Sequence, residues 1–133
     1  MSIDEPTVRS IFAGLERGDG DAFFRHVADD VDWTVMGTHP LAGRYRSKAD
    51  FRAATFTKLG KVLPAGAQLE VTGILVAGDV AAVELLSGAT ARNGMRFDNR
   101  YCWITRFHEG VIVEVRAYLD SALVAELFRQ NPI

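Results

Sequence analysis

The second half of the chain reads as a run of long alternating strands with short turns between them, and this limits the fold more than any other feature. Strand patterns cover Ala67 to Ala77, Val80 to Arg92, Met95 to Phe107 and Val111 to Leu119. They are joined at Gly78-Asp79, Asn93-Gly94 and His108-Glu109-Gly110. Asn93-Gly94 is the clearest turn signal, because both residues tolerate the positive φ that a tight two-residue hairpin demands. Strands joined this way form an antiparallel meander. Some of them reach ~13 residues against a usual 5–6. Strands of that length twist and bend, and helices must fill the concave side.

The first half supplies those helices. Val8, Ile11, Phe12 and Leu15 fall at helical spacing, with Pro6 suited to a first turn and Gly18 as a stop. Asp19 and Asp21 can cap a second short helix carrying Phe23, Phe24 and Val27. Val31 to Met36 reads as a short strand and Gly37 to Tyr45 as a loop containing Pro40 and Gly43. A third helix starts at Ser47 with Asp50 three residues on, and Phe51, Thr55, Leu59 and Val62 give its buried stripe. After the meander Asp120 can cap a closing helix whose apolar face is Leu123, Val124, Leu127 and Phe128. The expected fold is α+β, with a strongly bent sheet wrapped as a cone around helices and open at one end. Such a mouth is a common place for a small-molecule site.

Composition sets the class of partner. The chain has 133 residues, which suits a single domain spanning 1–133. Net charge is −2 with no basic run, so no nucleic-acid partner is expected. The lone Cys102 has no internal disulfide partner, and a reducing, cytoplasmic setting is the simplest expectation. Neither a signal-peptide pattern nor an apolar run near the ~20 residues of a membrane span is visible. His26, His39 and His108 lack metal-ligand spacing, and no phosphate-cradling or nucleotide motif is present, so no metal or cofactor is expected.

Strand alternation picks out the inner face. Met95, Phe97, Asn99, Tyr101, Trp103, Thr105 and Phe107 share one side, and Arg96, Asp98, Arg100, Cys102, Ile104 and Arg106 share the other. The first set should face the helices. In the last strand Val111, Val113, Val115, Ala117 and Leu119 form the dry side. Asn99 and the Tyr101 hydroxyl stand out as polar groups on the inner face. They are either satisfied within the core or turned to a ligand. Expected pocket residues are Trp33, Val35, Phe51, Asn99, Tyr101, Trp103, Val115 and Ala117. Two residues could act on protons. His39 titrates near neutrality and edges the mouth, or it merely shapes a His-Pro turn. Glu84 is a buried base if it points inward and an ordinary surface carboxylate if outward.

The stretch from Ala28 to Trp33, followed by Gly37-Thr38-His39-Pro40-Leu41-Ala42-Gly43-Arg44-Tyr45, resembles the nuclear transport factor 2-like superfamily, and more closely its SnoaL-like and ketosteroid isomerase-related branch. Asp98 to Tyr101, Arg106 to Val115 and Tyr118 to Ser121 agree with it. The resemblance implies a cystatin-like α+β barrel, its bent mixed or antiparallel sheet wrapping the N-terminal helices. It also implies a homodimer through the outer sheet face. The isomerase base would fall at Thr34 or Val35, its tyrosine near Ile11 and its protonated acid at Trp103, so those roles are vacant. The aspartate of limonene-epoxide hydrolases would fall at Ala117, and is vacant too. Two functions therefore stand. One is an isomerase, cyclase or dehydratase acting on a small hydrophobic ligand, and the other is a non-catalytic ligand- or protein-binding dimeric module.

Overall fold

A computed structural model describes residues 2–133. Helix α1, Glu5–Glu16, is capped by Asp4, whose carboxylate accepts from the Thr7 amide. It buries Val8, Ile11, Phe12 and Leu15. Helix α2, Gly20–Phe24, is capped by Asp19 and buries Phe23 and Phe24. The two helices meet at Gly14, where an added Cβ would lie 2.9 Å from both the Asp19 carbonyl oxygen and the Phe23 nitrogen. Strand β1, Val27–Val35, follows and starts four residues before the expected Val31. Lys48 explains part of that gain. Its ammonium donates to the Phe24 and Val27 carbonyls at 2.9 Å each, fixing the exit from α2 into the strand.

A three-residue strand, β2 (Gly43–Tyr45), pairs antiparallel with β1 inside the segment expected to be loop. Arg44 clasps Asp32 across that pair with two hydrogen bonds of 2.9 and 2.7 Å. The single third helix expected from Ser47 to Val62 is two helices, α3 (Lys48–Ala54) and α4 (Phe56–Val62). They break at Thr55, at φ −122° and ψ −77°. The Thr55 hydroxyl donates to the Phe51 carbonyl at 2.7 Å, the back-bonding that bends a helix at Thr.

Strands β3 (Leu69–Ala77) and β4 (Val80–Ser87) form the first hairpin. The two longest expected strands are each interrupted. Ala89–Thr90 (β5) and Arg96–Phe97 (β6) make a separate two-stranded hairpin around Asn93-Gly94, and β7 runs from Arg100 to His108. Strand β8, Val111–Leu119, completes the meander, and helix α5, Ser121–Gln130, is capped by Asp120. The main sheet has the order β2-β1-β8-β7-β4-β3 and is open, with β2 and β3 at its edges. It is mixed, because β1 lies parallel to β8.

From β6 through β7 the inner face is as the alternation predicts: Phe97, Asn99, Trp103, Thr105 and Phe107 are buried, and Arg96, Asp98, Arg100 and Arg106 are exposed. In β8 the expected dry side is corrected at its start. Arg106 pairs with Glu114 but Phe107 pairs with Ile112, so Val113 is the extra residue of a bulge. Ile112 is fully buried, and Val111 and Val113 are only half-buried.

The buried residues fall into two clusters. The larger joins α1, α2 and the sheet around Phe12, Phe23, Trp33 and Trp103. The smaller joins α4, the β5–β6 hairpin and α5 through Leu59, Val62, Phe97, Val124 and Leu127. In an exposed helix, replacing Gly by Ala would gain up to ~1 kcal/mol. At Gly14 the added methyl meets backbone that cannot swing aside, so Gly14→Ala should cost about 1–3 kcal/mol in urea unfolding. A gain in stability would show that α2 shifts freely against α1.

Candidate functional site

The seam between the two clusters holds a narrow apolar cleft. The sheet supplies Trp33, Val35, Leu69, Tyr101, Trp103, Ala117 and Leu119. Phe51 and Thr55 come from the broken helix and its hinge, and Phe56 and Leu59 follow from α4. Leu41, Ala67 and Val124 close the other side from two loops and α5. The break at Thr55 therefore places two short helices along the cleft where one straight helix was expected.

Aromatic rings make up one wall. Trp33 stacks on Phe51 with centroids 3.9 Å apart and planes 19° apart. Trp103 stands edge-on to Trp33 at 5.1 Å, and Tyr101 edge-on to Trp103 at 6.3 Å. Offset-stacked and edge-on pairs add about 0.5–1.5 kcal/mol each beyond burial, so this wall is stiff.

Six of the eight expected pocket residues line the cleft: Trp33, Val35, Phe51, Tyr101, Trp103 and Ala117. Val115 lies fully buried in the larger cluster, away from the cleft. Asn99 is fully buried and is not part of the lining. Its Oδ1 accepts from the Arg100 and Asp120 amides at 2.9 and 3.1 Å, and its Nδ2 is buried without a hydrogen bond. The indole N–H of Trp33 is likewise buried and unpaired. Burial pushes the Tyr101 phenol well above its ordinary pKa, while the Asn99 amide beside it pulls the other way. The lining residues that the sequence missed, Leu41, Thr55, Phe56, Leu59, Ala67, Leu69, Leu119 and Val124, come mainly from elements whose bends alternation and helical spacing do not encode.

The two expected proton-transfer residues are not in the lining. Glu84 points outward. Its neighbours Val83 and Leu85 are buried, while Glu84 is exposed with its carboxylate over Gly73 of the adjacent strand. Of the two orientations open in the sequence the chain takes the outward one, because β4 alternates without a bulge along its pairing with β7. His39 is buried at 8% exposure, and both ring nitrogens are used by backbone. Nδ1 receives the Leu41 amide at 3.2 Å, so the proton sits on Nε2, which donates to the Met36 carbonyl at 2.9 Å. Gly37 makes room for this ring: at φ +111°, its Cβ would lie 2.9 Å from His39 Cδ2. The imidazole thus ties the loop between β1 and β2. Cys102 lies on the outer face, and burial together with Glu84 raises its thiol pKa, which disfavours a thiolate nucleophile. Among the described residues no three His, Cys, Asp or Glu gather as a metal site.

A family model described as a SnoaL-like domain matches residues 8–115. The chain belongs to that family. It is 27% identical to the dimerizing cyclase phiC of a fungal species and 25% identical to the dimerizing cyclase tstC of Talaromyces stipitatus, in each case over 98% of this chain. Those matches cover 59% and 60% of the relatives, so the SnoaL-like chain spans about three fifths of their length. An NTF2-like protein from Burkholderia thailandensis is 28% identical, with a TM-score of 0.79 over 92% of this chain and 95% of that one. The curled open sheet with its helices is thus the nuclear transport factor 2-like fold.

Two outcomes follow from the hydrogen bonding of this SnoaL-like domain. His39→Ala should cost about 1–3 kcal/mol in urea unfolding, since it strands the Leu41 amide and the Met36 carbonyl. The folded state raises the pKa of the Tyr101 phenol, so it favours the neutral form. That contribution is complete below about pH 10 and is lost as pH rises above it. Burial raises the Tyr45 phenol as well, so native ultraviolet titration should show two of the three tyrosines ionising late, and Tyr101→Phe should remove the later of the two.

Proposed function

We propose that this domain binds a small hydrophobic molecule in the seam cleft and promotes a ring-forming, cyclase-type reaction by confining it. The observation that carries this reading is the lining itself: aromatic and aliphatic walls, with no carboxylate or imidazole among the described lining residues. A pocket of that kind does not supply strong acid–base catalysis. It can hold reacting ends together, which is worth up to about 7–11 kcal/mol where the bound geometry approaches attack. It also excludes water and keeps one folded conformer of a flexible substrate. The similarity to two proteins named as cyclases supports ring formation over isomerisation or dehydration. The substrate's own groups then supply the nucleophile and the electrophile.

The outer sheet face supports assembly as a homodimer. Leu75 of β3 is 74% exposed. The pairing registers set it in line with Ala82 and Ile104, giving an apolar row across three strands. Tyr118, 44% exposed, stands on the adjacent row beyond Cys102. Arg100, Arg106, Arg116, Glu84 and Glu114 surround these groups with both signs of charge, as a face meeting its own copy requires. The free thiol of Cys102 fits a reducing compartment such as the cytoplasm.

Both tryptophans of the chain line the cleft, so intrinsic fluorescence reports occupancy directly. Titration with aromatic polyketide fragments, terpenoids and steroids should quench or shift that emission for at least one class. A ligand at 100 times its Kd should also add about 2.7 kcal/mol of stability. Ala117→Phe, which fills the cleft, should abolish the response. Silence across the panel would remove the small-molecule reading, and bound compounds that never turn over would leave a carrier in place of a cyclase. For the assembly, the chain should sediment as a dimer and Ile104→Arg should give a monomer that still binds ligand. A monomeric parent protein would exclude the interface.

A further inference from the structure

Among the described lining residues, Leu41 is the one that the loop between β1 and β2 contributes to the cleft wall. Leu41 belongs to the smaller apolar cluster, so it stands across the seam from Trp33, Phe51 and Trp103 of the larger one. A loop residue has no ladder to hold it, yet both backbone polar groups of Leu41 are gripped by side chains. Its amide donates to His39 Nδ1 at 3.2 Å, and its carbonyl accepts the Tyr45 hydroxyl at 2.9 Å. Each grip leads back to the sheet. His39 Nε2 donates to the Met36 carbonyl at 2.9 Å, and the Met36 amide donates in turn to the Ala117 carbonyl of β8. Tyr45 ends β2, and its ring stands edge-on to Phe51 with centroids 5.8 Å apart. Burial raises the Tyr45 phenol, which keeps the hydroxyl protonated as a donor. Leu41 is thus suspended between two fixed points and is only 5% exposed.

We infer that His39 and Tyr45 are positioning residues that hold Leu41 at a set distance from the aromatic wall, so that the cleft takes a flat aromatic ring system in preference to a saturated cage of the same carbon count. This rests on the cleft being the small-molecule site. The selection is by thickness. A fused aromatic ring is one carbon layer deep, and it fits where two walls lie about 7–8 Å apart, the sum of two carbon contacts. A saturated cage is several layers deep and must force the walls apart. A loop free to swing would yield to it, whereas a loop tied at both polar groups of one residue resists, as an over-filled core does. A flat ring also gains by stacking or standing edge-on to the rings of the wall.

The test uses 2-naphthol, which is flat, and 1-adamantanol, which is a cage, each with ten carbons and one hydroxyl. Affinities are read by two-dimensional NMR titration of the ¹⁵N-labelled chain. The wild-type protein should prefer 2-naphthol by about tenfold. Leu41→Ala should bring the two affinities close together. His39→Gln keeps a donor for the Met36 carbonyl but sets no acceptor at the Nδ1 position, so it should lose the preference as Leu41→Ala does. His39→Asn places an amide oxygen where Nδ1 stood, in reach of the N–H two residues on as in an Asx turn, and should retain the preference. A role confined to stability would move these two substitutions together, because each keeps one of the two hydrogen bonds. Tyr45→Phe keeps the ring against Phe51, loses the bond to the Leu41 carbonyl and should narrow the preference. A His39→Gln protein with the wild-type preference, or a His39→Asn protein that loses it equally, overturns the role of His39. A Tyr45→Phe protein with the wild-type preference overturns that of Tyr45. Should His39→Gln not fold, Leu41→Ala and Tyr45→Phe decide, and an unchanged preference in both sinks the inference. If neither probe binds the wild type, the cleft is not the small-molecule site and this inference goes with it. If both bind equally well, the site stands and only the selection by thickness falls.

Discussion

The arrangement around the cleft depends on one carboxamide oxygen. Asn99 Oδ1 accepts the amide of Arg100, where β7 begins, and the amide of Asp120, where β8 has ended and α5 is about to start. Both are donors that strand pairing and helix bonding leave unserved, and each would cost about 1–3 kcal/mol if buried unpaired. Satisfying them with one side chain fixes two events at the same place. The hairpin of β5 and β6 separates from the main sheet just before Arg100, and the chain turns into α5 just after Asp120. Between them these elements carry most of the smaller apolar cluster, including Phe97, Val124 and Leu127. The cleft exists because that cluster is set down against the larger one without merging with it.

The far ends of the same elements are tied by a second polar group. Asn93 Oδ1 accepts from Met95 N and from Asn131 Nδ2, and Asn131 Nδ2 reaches the Leu127 carbonyl as well. The hairpin tip is thereby joined to the last turn of α5. With Asn99 at one end and Asn93 with Asn131 at the other, hairpin and helix behave as one cover over the seam. Val124 supplies its contact with the cleft and Leu127 its packing beneath the hairpin. Burying those two side chains contributes about 1.5–3 kcal/mol each, which holds hairpin and helix against the seam.

Alternation and turn chemistry made most of this fold legible in the sequence. The meander, the Asn93-Gly94 hairpin and the caps at Asp19, Ser47 and Asp120 each rest on a local rule that tertiary packing did not override. The failures share a cause. Thr55 breaks a helix that its neighbours favour, the strands either side of the hairpin stop short, and a bulge at Val113 moves Ile112 to the buried face. Each is a local irregularity forced by a sheet that must curl, and an even period has no means of announcing where the curl is taken up. The site inherits those errors. Residues on regular stretches, Trp33, Tyr101, Trp103 and Ala117, line the cleft where alternation sets them on the inner face, whereas Phe56 and Leu59 follow the break and carry no such signal.

At His39 and Glu84 the geometry has other uses for side chains that the sequence singles out as titratable. A histidine beside a mouth and a carboxylate among apolar residues are reasonable bases until their surroundings are known. His39 has both nitrogens committed to the backbone, and Glu84 faces out over Gly73. Their absence leaves a cleft lined by aromatic and aliphatic side chains with Thr55 and Tyr101 among them. Such side chains exclude water and hold a ligand, but they do not take a proton from carbon. On the proposed cyclase reading, the substrate is already reactive and the protein's contribution is to choose among its conformations. That requirement also accounts for the stiff aromatic wall. A pocket that works by selecting one shape gains nothing from flexibility, and the stacked Trp33–Phe51 pair with Trp103 set edge-on against it gives the cleft a shape of its own.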